Sequence, residues 1–148
     1  MTVKNTTWNL LEKRAQDRVE VAMAESSAAA QAISGLECSQ SRLNKLLSEY
    51  LSRLETVEND VHSIGDNMNC RRYIAHIEEV KRKLDFSLHA ARERHAAAIR
   101  TQRKLVAERE KMAGMADRAK KAEERGRAIQ DQKRLDNLAL AQYNLRKA

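Results

Sequence analysis

The 148-residue chain contains no proline, four glycines, one phenylalanine and two cysteines. Each scarcity excludes something. A compact globule of this size normally places prolines at its turns and several aromatics in its core, so a wide globular core is excluded. Two cysteines do not make a disulfide-rich scaffold, and Cys38 and Cys70 read as reduced thiols, roughly 40 Å apart along the helices proposed below. No apolar run approaches the ~20 residues that span a bilayer. The N-terminus, Met1 to Trp8, has no long apolar core, so neither a signal peptide nor a transmembrane segment is expected.

What is abundant is alanine, leucine, lysine, arginine and glutamate, the residues of long helices. In the first half, one row recurs every seven residues: Trp8, Ala15, Ala22, Ala29, Leu36, Leu43, Tyr50, Val57 and Ile64. A second row, four residues on, reads Glu12, Val19, Ser26, Ile33, Gln40, Leu47, Leu54, Val61 and Met68. Apolar spacing that alternates four and three is the coiled-coil signal. The second half repeats it with Ile77, Leu84, Ala91, Ala98, Leu105, Met112 and Ala119. Its companion row, Ile74, Lys81, Leu88, His95, Gln102, Arg109 and Ala116, is polar in the middle.

A break lies at Ser63-Ile64-Gly65-Asp66-Asn67-Met68-Asn69. Gly65 tolerates the left-handed conformation that ends many helices, and Asp66, Asn67 and Asn69 are able N-caps. A short connection makes long helices antiparallel neighbours. The fold class expected is therefore all-α, a single antiparallel two-helix coiled-coil hairpin over residues 1–148. Helix one is placed at about 7–62, the turn at about 63–69 and helix two at about 70–142. Folding about residue 66 sets Tyr50 near residue 82 and Trp8 near residue 124, and leaves the chain beyond about 125 overhanging. The seam is expected to be tight near the turn and looser through the alanine-rich stretch 22–32, because an alanine rung buries little area.

Charge is uneven. Residues 1–91 carry 12 basic and 13 acidic side chains, whereas residues 92–148 carry 16 and 8. The basic end, with Arg14, Arg118, Lys120, Lys121, Arg125 and Arg127, suits an anionic partner. Stacking aromatics are missing from it, so nucleic acid is not the expected partner. Chemistry-bearing constellations are absent: His62, His76, His89 and His95 have no metal-ligand spacing, and no phosphate loop or nucleophile elbow occurs. No catalytic residue, metal or cofactor is expected, and the chain reads as a protein-binding coiled coil.

Near the turn the apolar stripe widens, with Leu43, Leu46, Leu47, Tyr50 and Leu54 on helix one and Tyr73, Ile77, Val80 and Leu84 on helix two. Such a stripe is either the best-packed part of the coil or a face for a partner. The pattern Leu43-x-x-Leu46-x-x-x-Tyr50, followed by Tyr73-Ile74-x-x-Ile77-Glu78 and by Gln132-Lys133-x-Leu135-Asp136-x-x-Ala139, resembles the FliJ family of the bacterial flagellar export apparatus. The resemblance implies a hairpin stalk that binds the hexameric export ATPase with the end carrying the termini. It implies binding to the export-gate membrane protein through Leu43, Leu46, Tyr50, Tyr73, Ile77, Val80 and Leu84. It also implies escort of export chaperones and a cytoplasmic location, peripherally associated with the inner-membrane export apparatus. The stalk proteins of virulence-type secretion systems share this architecture and are one alternative; a structural or nucleic-acid-binding coiled coil is the other.

Overall fold

The computed structural model describes residues 3–59 and 64–147 as two helices, α1 (Val3–Asn59) and α2 (Ile64–Lys147). They pack against each other as an all-α helical hairpin. With no proline to remove a backbone donor, both helices run unbroken. Gly35, Gly114 and Gly126 all lie inside them with negative φ, and a Cβ at any of the three would meet nothing within 4 Å.

The heptad rows are the buried rows. Every described position of the two α1 rows from Trp8 to Val57 is buried or half-buried, and so is every position of the α2 rows from Ile74 to Ala119. Four of the polar rungs, Ser26, Gln40, Gln102 and Arg109, pair across the seam, and for the buried Ser26 this matters most, because a buried polar group without a partner is costly. The Ser26 hydroxyl donates to Gln102 Oε1 at 2.9 Å, and Gln40 Nε2 donates to Asp85 Oδ1 at 2.9 Å. Arg109 Nη1 donates to Gln16 Oε1 at 3.1 Å. Among the described residues no buried side-chain nitrogen or oxygen lacks a partner.

Three expectations are corrected. First, residues 64–69 are not a turn. Residues 64–69 already form the first turns of α2, Gly65 has no positive φ, and Asp66, Asn67 and Asn69 lie within the helix rather than capping it. Residues 60–63, which include Val61, His62 and Ser63, lie outside the described residues. Ile64 and Met68 therefore leave the α1 rows and are exposed on α2. The carboxylate of Asp66, in the first turn of α2, suits the positive end of that helix's dipole. Second, the helix register shifts with the reversal: Tyr50 meets Tyr73 instead of residue 82, and Asn5 meets Glu123. Third, the alanine-rich part is not loose. Within it Ala22 and Ser26 are buried, at 4% and 9% exposure, and Val19, the most completely buried large side chain, precedes it by three residues. Small side chains bury little area each but let the helices close on what they have.

By packing, the chain divides into two compact units. One comprises Met1–Val21 with Arg103–Ala148, and the other Ala22–Gln102. In the first, α2 continues past its last half-buried residue, Glu123, and every described residue from Glu124 to Lys147 is exposed. The overhang expected beyond about residue 125 is thus present as helix, and extends five residues further than position 142.

Candidate partner-binding surfaces

In the unit Ala22–Gln102, Ile74 and Ile77 point into the seam and are buried, Ile77 at 3% exposure. Tyr73 immediately precedes Ile74, and one residue step turns it outward to the seam edge, where it is 55% exposed. Tyr50 occupies a seam row of α1 and is half-buried. The two rings stack with centroids 5.0 Å apart and planes 2° from parallel. The guanidinium of Arg53, one turn beyond Tyr50, lies 5.3 Å from the Tyr50 centroid. Stacking covers one face of each ring and leaves phenol edges at the surface, a pairing that holds two rigid aromatic groups ready for contact.

The other members of the expected gate-binding set divide by burial. Leu43, Val80 and Leu84 are half-buried at the seam edge, and Leu46 is exposed. Ile77 lies beneath the surface as core. Arg53 was absent from the sequence-derived set; its spacing of three from Tyr50 was the available signal. Ile64 and Met68, read from the sequence as seam, add exposed apolar surface to the same unit.

The expected basic set lies in the other unit. Arg14 faces a groove of about 570 Å³ whose lining includes Leu11, Arg18, Glu108 and Met112. Across this groove Arg18 approaches Glu108 at 3.9 Å, a loose exposed pair. Lys121 is held by Asp117 at 3.1 Å. Arg127 binds Glu123 at 2.8 Å, and Glu123 also accepts from the buried Asn5 amide at 2.5 Å. Two of the six bases are thus engaged within the chain. Arg14, Arg118, Lys120 and Arg125 form no ion pair within it among the described residues and present their charge outward.

Among the described residues no group of three or more His, Cys, Asp or Glu side chains is placed to hold a metal ion. Cys38 and Cys70 are free thiols. His76 and His89 are exposed and His95 is half-buried in the seam. No helix among the described residues is long and apolar enough to cross a membrane.

Two long helices closed along a heptad seam, with a stacked tyrosine pair in one unit and a basic surface in the other, define a helical-hairpin coiled-coil protein. The chain matches the family model described as flagellar FliJ protein over residues 8–148, nearly its whole length, and it belongs to the FliJ family. That membership makes it a protein related to flagellar export. No curated protein and no solved structure is similar enough to the chain to count as a match.

Proposed function

We propose that the chain is a non-enzymatic stalk of the flagellar type III protein export apparatus. Its basic surface, with Arg14, Arg118, Lys120, Lys121, Arg125 and Arg127, faces the hexameric export ATPase. The face around the Tyr50–Tyr73 stack, with Leu43, Leu46, Val80 and Leu84 and with Ile77 supporting it, binds the export-gate membrane protein. Between these contacts the protein escorts export chaperones. It acts in the cytoplasm, associated peripherally with the membrane-embedded gate.

The observation that carries the reading is the tyrosine stack at the seam edge, with Tyr73 exposed and Tyr50 half-buried, in a chain of this family, because rigid surface aromatics often anchor interfaces. A stalk needs no active site of its own: differential contact with the states of a ring shifts their populations. The test uses the purified chain with its cognate ATPase and gate protein. The expected result is increased ATP turnover by the hexamer and retention of the gate protein. Tyr50→Ala combined with Tyr73→Ala should abolish gate retention while helical circular dichroism and ATPase stimulation persist. Loss of helicity would make the tyrosines core residues, and absence of both activities would remove the reading.

A further inference from the structure

The side of α2 that faces away from α1 carries an ordered charge pattern of both signs, of which the export reading uses only some of the basic residues. In the unit Met1–Val21 with Arg103–Ala148, the rows ending in Arg109–Ala116 and Met112–Ala119 turn toward the seam. Opposite them run three adjacent files, each with a period of seven residues. The central file is Ala107, Gly114, Lys121, Ala128 and Leu135, and all five are exposed. A Cβ at Gly114 would stand in open space. On one flank lie Glu110, Asp117, Glu124 and Asp131, and on the other Lys104, Lys111, Arg118 and Arg125, again all exposed. Apart from Asp117, which holds Lys121, these flank charges have no ion-pair partner in the chain among the described residues.

A surface built this way discriminates among partners. A phosphate backbone or an anionic lipid surface would be drawn to the basic file and repelled by the acidic file about 100° around the helix. A uniformly acidic protein would meet the same repulsion. The partner that fits carries both signs, in neighbouring files, with the same seven-residue repeat, and a second copy of this chain meets all three conditions. The flanks also select direction. When two identical helices face each other along their central files in parallel, the acidic flank of each lies against the basic flank of the other. Turned antiparallel, acid would face acid and base would face base. Parallel alignment further brings Leu135, Leu138 and Leu145 of the two copies to the same levels, and these are 60%, 61% and 77% exposed in the single chain. The small residues Ala107, Gly114 and Ala128 let the backbones approach, and Lys121 between them turns its ammonium aside to Asp117 of its own helix at 3.1 Å, which offsets its charge against the Lys121 of the second copy.

We propose that this face pairs two copies of the chain side by side, parallel and in register. The pairing does not depend on the export reading. Because Arg118, Lys121 and Arg125 are shared with the ATPase-facing set, a paired chain is a form apart from the ATPase-bound one.

Sedimentation of the full chain across concentrations into the millimolar range tests the pairing. A concentration-dependent dimer is expected. The triple change Lys104→Glu, Lys111→Glu and Arg118→Glu makes both flanks acidic, and Glu110→Lys, Asp117→Lys and Glu124→Lys makes both basic. Each variant alone should lose self-association by about tenfold or more, and an equimolar mixture of the two should recover it. Orientation is read in a background lacking Cys38 and Cys70. Ala107→Cys and Ala128→Cys, introduced separately, should each form an intermolecular disulfide, since both lie in the central file. A monomer throughout, or a mixture that stays monomeric, overturns the pairing. Disulfide formation at only one of the two positions overturns the parallel register.

Discussion

Gly35 and Gly126 show how little local strain the helices carry. Both have helical φ and open space where a side chain would be, so neither is required by a turn or a close approach. Each costs the helix its usual penalty relative to alanine. Gly35→Ala and Gly126→Ala should therefore each stabilise the chain by about 0.5–1 kcal/mol, read as a rise in the thermal unfolding midpoint. Ile77 marks the opposite case. It is among the few large side chains the seam buries almost completely, and Ile77→Ala leaves a hole that two helices cannot close without moving. The expected loss is about 2–4 kcal/mol in chemical denaturation, larger than that of an alanine change at half-buried Leu43. If the two changes cost the same, Ile77 is not the anchor its burial indicates.

At the scale of the element, the seam is held in register as much by polar pairs as by apolar rungs. Alanine rungs look alike, and a helix paired by alanines alone slides at little cost from one rung to the next. Ser26 bonded to Gln102 removes that freedom, because a shift by one heptad leaves the buried Ser26 hydroxyl without its partner, and the exposed Gln40–Asp85 bond favours the same register. The Met23 carbonyl lies 3.3 Å from the Ser26 hydroxyl, so the same O–H can turn to it when Gln102 is removed. Gln102→Leu alone should accordingly cost about 1 kcal/mol. Ser26→Val together with Gln102→Leu should return stability to the wild-type value or above it. Denaturant midpoints of the two singles and the double provide the cycle. A double variant as unstable as the sum of its singles would mean that the pair stabilises the hairpin outright rather than specifying its register.

At the scale of the whole molecule, burial and charge are distributed unevenly along α2. The helix keeps its seam contacts as far as Glu123, which ties Asn5 and Arg127 together, and beyond it no described side chain is buried or half-buried. A chain ending after Arg127 retains every seam rung. Its helical signal should fall by the share of the missing residues, while the thermal midpoint moves by no more than about 2–4 °C, the effect of ~1 kcal/mol in a domain of this size. Calorimetry beside circular dichroism separates the two quantities. A large fall in the midpoint would show that the final segment folds back onto the seam.

Much of this was legible in the sequence. Helicity follows from composition and from the absence of proline, and the seven-residue rows identify the seam because only one face of a helix recurs at that period. The rows Trp8 to Val57 and Ile74 to Ala119 are the buried rows residue for residue, and the overhang follows from helices of unequal length. What only the tertiary structure decided is where the chain reverses and hence which residues meet. Gly65 and the polar residues after it carry the local signature of a helix end, yet they are helical, because a start at Ile64 sets Tyr73 against Tyr50 and Gln102 against Ser26. A repeating ladder specifies a face at every rung but offers the same face one heptad away. The choice between registers lies in pair contacts between residues distant in sequence, and those contacts place one tyrosine of the stack half in the seam and the other at its edge.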